Sequence, residues 1–138
     1  MKSSMLVLML AAFLQSSPPP VRTIAKGPMS AIDEPRQAAA RSAVEWTALW
    51  NAHGAGGPVP SVDFAREMVV GVFLGSRPTA GFGVEIVRTV GSTSGVVVEY
   101  IETAPSRGVI TALILTAPYH LAAVPTHDGQ VTFKKVEK

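Results

Sequence analysis

Apolar positions follow two different rhythms along the chain. From Ser42 to His53 they recur at helical spacing, and at 100° per residue Trp46, Leu49, Trp50 and His53 share one face. Ser42 and Glu45 form an S-x-x-E capping box ahead of that face, and Gly54 follows it as a left-handed stop. The spacing predicts a helix over 42–53. Upstream, Arg36-Gln37-Ala38-Ala39-Ala40-Arg41 is ambiguous, because alanine favours extending the helix backwards. The capping box favours a fresh start at Ser42.

Beyond Gly54-Ala55-Gly56-Gly57-Pro58 the pattern becomes that of strands. Met68–Leu74 is a continuous apolar run suited to a strand buried on both faces. Val84–Val90, Val96–Ile101, Val109–Thr116, His120–Val124 and Gln130–Phe133 read as further strands, rich in β-branched residues. The five-residue links 91–95 and 104–108 suit antiparallel neighbours, since a parallel crossover needs about a dozen residues or more. Asp128-Gly129 is a tight-turn signal. The expected fold class is α+β: a mainly antiparallel β-sheet, curled or sandwich-like, with one packed amphipathic helix.

Ahead of this pattern, Lys2 precedes ten uninterrupted apolar residues, Met5–Leu14, and then small residues at Ser16 and Ser17. A membrane-spanning helix takes roughly 20 apolar residues, so this run matches a secretory signal peptide, with retention as an anchor the alternative. Ser16-Ser17-Pro18-Pro19-Pro20 reads as extended linker. The expected organisation is a signal peptide over 1–17, a proline-rich linker over 18–28 and a folded domain over 29–138. The expected location is exported, periplasmic or extracellular, with membrane contact only if the first segment is retained.

Composition narrows the chemistry. Among 138 residues, 47% are hydrophobic and 16% charged, which excludes a disordered chain, a collagen repeat and a coiled coil. Zero cysteines exclude disulfides, a thiol nucleophile and thiolate metal sites. Twelve basic and ten acidic residues nearly cancel, and the only basic cluster is Lys134, Lys135 and Lys138 at the end. No nucleic-acid partner is expected. His53, His120 and His127 lack ligand spacing, so neither a metal nor a cofactor is expected. No G-x-S-x-G elbow or phosphate loop is present, and no catalytic residues are assigned.

One loop stands out. Gly75-Ser76-Arg77-Pro78-Thr79-Ala80-Gly81-Phe82-Gly83 joins two apolar strands and is long for a hairpin. Pro78 lowers the ordering cost, Gly81 and Gly83 permit positive φ around Phe82, and Arg77 and Phe82 are hot-spot residue types. Pro118 cannot donate to a sheet ladder, so Pro118-Tyr119-His120 is expected at an edge, bulge or corner flanking the loop. Arg77, Pro78, Thr79, Gly81, Phe82, Pro118, Tyr119 and His120 are therefore the candidate partner-binding residues. The competing reading makes the loop structural, with Phe82 tucked inward and Tyr119 in a strand corner.

Glu45-Trp46…Leu49-Trp50, Val62-Asp63-Phe64, Leu74-Gly75-x-Arg77-Pro78-Thr79-x-Gly81-Phe82 and Pro118-Tyr119-His120 together resemble the "protease complex subunit PrcB" family, in its C-terminal domain, over about 29–133. The resemblance implies an exported bacterial module that partners a secreted protease without being one. It carries over no catalytic residues. The chain departs from the family in having no lipidation cysteine and in placing Ala80 where a second glycine is frequent. The expected function is a non-enzymatic interaction domain, an accessory or stabilising partner of a secreted or envelope protease complex. The alternative is a loop-based reversible peptidase inhibitor, because Pro78-Thr79-Ala80-Gly81-Phe82 is similar to a protease-contacting loop of chagasin-type inhibitors.

Overall fold

A computed structural model describes residues 21–138; the segment read as signal peptide, and residues 18–20 of the linker, lie outside the described residues. Two sheets and one helix stack in three layers. Strands β1 (Arg22–Gly27), β2 (Arg36–Ala40), β3 (Glu67–Phe73) and β6 (Tyr119–Pro125) form an antiparallel sheet in the order β1-β6-β3-β2. Strands β4 (Gly83–Gly91), β5 (Gly95–Thr103) and β7 (Gln130–Lys135) form the second sheet, with β5 antiparallel to β4 and parallel to β7. Helix α1 (Ala43–His53) covers the outer face of the first sheet. The α+β class, mainly antiparallel and sandwich-like, is the fold observed.

Strand periodicity explains the layering. Successive side chains of β3 point to opposite faces. Met68, Val70 and Val72 meet Val84, Ile86, Val96, Val98 and Tyr100 of the second sheet, while Val69 and Phe73 meet Trp46, Leu49 and Trp50 of the helix. A strand sandwiched between two apolar layers needs no polar alternate, hence the unbroken run. The capping box works as expected: Glu45 N donates to Ser42 Oγ at 3.2 Å, and the Glu45 carboxylate accepts from Arg41 N at 2.8 Å. Gly54 closes the helix at φ +80°.

Three local expectations change. Val109–Thr116 is not a strand; it runs irregularly over the surface, and only Thr116 pairs, in an isolated bridge with Arg77. The alanine-rich segment before the capping box is strand β2, because Val69–Phe73 offers it a ladder partner that propensity cannot register. The second half of the stretch read as linker is strand β1, paired with β6.

Candidate functional site

Two connections lie against each other: 74–82 between β3 and β4, and 104–118 between β5 and β6. Arg77 and Thr116 exchange backbone hydrogen bonds at 2.7 and 2.9 Å. Ala80 N donates to Ala112 O at 3.1 Å, and Thr116 Oγ1 donates to Thr79 O at 3.0 Å. Ser76 N adds a bond to Asp33 O at 2.8 Å. Gly81 sits at φ +95°, and a Cβ there would come 2.8 Å from Pro105 Cγ, so the two loops close on each other only through glycine. Gly83 begins β4 and is not among the positive-φ glycines.

Within this brace the Arg77 guanidinium carbon lies 5.7 Å from the Phe82 ring centroid, within cation–π range. Its Nη2 is 4.0 Å from Glu102 Oε1. Arg77, Thr79 and Phe82 are half-buried, and Pro78 and Gly81 are exposed. The loop is therefore a clamped connection between the two sheets with a modest exposed rim, intermediate between a free tip and an inward fold.

Pro118 and His120 do not join that rim. Both are buried, and Tyr119 points to the helix side of the sheet, its ring 4.1 Å from His53 and stacked 6.3 Å from Phe73. The reason is position. β6 lies between β1 and β3, so its residues face either the sandwich core or the helix layer. The expected surface patch of Pro118, Tyr119 and His120 is corrected to a core corner.

His120 has a defined structural job. It faces the second sheet beside Val72. Ile86 N donates to its Nδ1 at 2.8 Å, so Nε2 carries the proton and donates to Thr23 Oγ1 at 2.9 Å. One imidazole thus ties β6 to β4 and β1, next to register shifts in both partners. Its pKa is lowered from the usual 6.5 to about 4, chiefly by burial and then by nearby Lys26, with Glu85 opposing. The other imidazoles are similarly engaged. Gly129 N donates to His127 Nδ1 and His127 Nε2 donates to Ser92 O, both at 2.9 Å. His53 Nδ1 lies 2.9 Å from Ser30 Oγ, and burial lowers its pKa. Burial also raises the Tyr119 phenol. Among the described residues no three of His, Asp or Glu gather in a metal-holding group.

Two features went unread in the sequence. The first is the exposed apolar segment: Ile110 is 97% accessible, Leu113 91% and Leu115 69%, with Val109 and Ile114 also exposed. No charged residue occurs between Arg107 and Asp128. The apolar run was visible, but its pattern matches a buried strand equally well. The second is a cleft of about 270 Å³ lined by Pro35, Arg36, Val72–Leu74, Arg77 and Glu102, with Gln37 Nε2 donating to Tyr100 Oη at 3.2 Å in its wall. Its residues come from four separate parts of the chain, so no local motif announces it.

The family model described as PrcB C-terminal matches residues 68–125. Over that segment the chain is similar to the PrcB C-terminal family. The PrcB match runs from β3 to the end of β6 and contains both clamped loops. It leaves β1, β2, α1 and β7 outside, and with them the Glu45-Trp46…Leu49-Trp50 portion of the sequence resemblance. No curated protein and no solved structure matches the chain.

Proposed function

We propose that this chain is an exported, non-enzymatic interaction domain that serves as an accessory partner in a protease complex. The family description supports the protease connection, since PrcB names a protease-complex subunit. The single observation that carries the binding role is the Val109–Leu115 segment. Five large apolar side chains stand in water beside a cross-tied loop. Contiguous apolar surface of this kind marks interaction sites in soluble proteins. The clamp supports the same reading, because a pre-ordered surface loses less entropy on association.

The test is capture of peptidases from the exported fraction by the wild-type chain and by the Ile110→Asp/Leu113→Asp variant, with the captured peptidase assayed for activity. An active peptidase held by the wild type and released at least tenfold more readily by the folded variant supports the reading. Equal capture by both removes the 109–115 segment from it. Stoichiometric loss of peptidase activity replaces the accessory role with the inhibitor role.

A further inference from the structure

Residues 109–115 have the side chains of a strand without being one. Val109, Ile110, Thr111 and Ile114 are β-branched, the type that fits a pleated, half-buried sheet. Their backbone is nearly unpaired. Among the described residues, Val109 N donates to Ser106 O, and Ala112 O accepts from Ala80 N and from Ile114 N. No backbone bond there engages the N–H of Ile110, Thr111, Ala112, Leu113 or Leu115. One end of the segment is fixed by the Arg77–Thr116 bridge, and the other is hinged at Gly108, whose φ is +84°. Apolar side chains and free ladder groups together are what an open edge offers to another chain.

The order of the side chains says which chain fits. No charge lies between Arg107 and Asp128, so the matching strand is neutral and apolar. The segment is itself such a strand, and it matches its own reverse about Ala112. Laid antiparallel on a second copy, Val109 faces Leu115, Ile110 faces Ile114, Thr111 faces Leu113, and the small Ala112 meets itself at the two-fold axis. In an extended chain the N–H and C=O of one residue share a side, and neighbours alternate. Ala112 O is turned to Ala80, so once the segment is straight Thr111 and Leu113 turn outward, free to exchange bonds with Leu113 and Thr111 of the second copy. The antiparallel order also keeps the two Arg107 side chains roughly 30 Å apart, beyond the ~10 Å screening length at 0.1 M salt. A parallel order would set them side by side.

We propose that Val109–Leu115 pairs antiparallel with the same segment of a second copy, centred on Ala112, and that the turn from Ile114 N to Ala112 O opens as the strand straightens. The inference rests on the reading of this segment as a binding surface and names its occupant when no other partner is present. Seven residues a side fall short of the roughly 20–30 of a standard interface. The self-pair is therefore weak, and a peptidase partner displaces it.

The experiment is sedimentation of the full chain over a concentration series, joined to cysteine cross-linking, which is clean because the chain has no cysteine of its own. The expected result is a reversible dimer that gains population between about 1 µM and about 1 mM. Ile110→Glu/Ile114→Glu sets like charges opposite each other and is expected to dimerise at least tenfold more weakly. Ile110→Glu/Ile114→Lys sets opposite charges face to face and is expected to recover that loss. Under mild oxidation Ala112→Cys is expected to give a disulfide-linked dimer, because facing Cα atoms of a non-hydrogen-bonded pair lie about 4.5 Å apart. Val109→Cys, about 20 Å from its counterpart, is expected to give none. All four variants change exposed side chains, and circular dichroism checks that each keeps the fold. A monomer at about 1 mM, a dimer indifferent to the like-charge variant, no advantage of the opposite-charge variant over it, or equal cross-linking at 109 and 112 each overturns the proposal. No peptidase enters these measurements. A chain that stays monomeric yet captures peptidase loses the self-pair and keeps the accessory role; one that dimerises and captures none keeps the self-pair alone.

Discussion

Met68–Leu74 and Val109–Leu115 are both runs of seven residues rich in aliphatic side chains, and they meet opposite fates. The first is buried between a second sheet and a helix, with Met68, Val69 and Val70 fully inaccessible. The second leaves its largest side chains in water. Composition does not separate them; the availability of partners does. β3 has β2 on one side, β6 on the other, and apolar layers above and below. The 109–115 stretch has a single backbone bond to the loop facing it, at Ala112, and the bridge at Thr116 beyond its end. Apolar surface that no layer among the described residues covers is surface available to another chain.

The comparison can be broken most forcefully at Phe73. Phe73→Ala removes a buried ring from the layer between sheet and helix and is expected to cost about 3–5 kcal/mol in denaturant unfolding. A loss under about 1 kcal/mol would mean that the β3 run is no better packed than its exposed counterpart. Next comes the imidazole that ties the sheet containing β3 to the second sheet. The fold resists protonating His120 until about pH 4, whereas the unfolded chain takes a proton near the usual 6.5. Between those values the unfolded state binds more protons. This contribution is therefore fully present above pH 6.5 and is lost as the pH falls towards 4, on the order of 3 kcal/mol. His120→Gln removes the titration, so its stability is expected to fall less steeply than wild type across that window. Parallel slopes would show that His120 does not set the acid response.

A smaller effect is expected at the clamp. Gly81→Ala meets Pro105 and an unfavourable positive φ, at roughly 1–3 kcal/mol. It should speed hydrogen exchange at Arg77 and Thr116 more than at β3, and uniform exchange would mean that the clamp is not a local unit. The smallest effect belongs to Leu113→Ala, expected within about 0.5 kcal/mol of wild type because the side chain is 91% accessible. A cost of 2 kcal/mol or more would place Leu113 in a core and abolish the contrast.

The helix was legible to the residue because its signals are local: a cap, a periodic face and a glycine stop within thirteen positions. The buried strand β3 was legible because a two-faced strand has a distinctive unbroken pattern. β2 was misleading, since a polyalanine segment carries helix propensity and becomes a strand only where β3 lies alongside. The candidate site was half legible. Arg77 to Phe82 announced a constrained loop through its proline and glycines, but Pro118 and His120 read as surface when the position of β6 in the sheet order buries them. Arg36, Tyr100 and Glu102 gave no signal, because a cleft assembled from distant segments leaves no mark in any one of them.

By itself the amino-acid order determined what short-range chemistry can: which segments cap, turn and alternate, that no thiol chemistry is available, and that the class is strands plus one helix. Tertiary structure decided what depends on neighbours remote in the chain. It selected which of two similar apolar runs became core, which alanine-rich segment became a strand, and which imidazole became a joint between sheets. Burial and hydrogen bonding are properties of pairs and layers, and those exist only once the chain has folded back on itself.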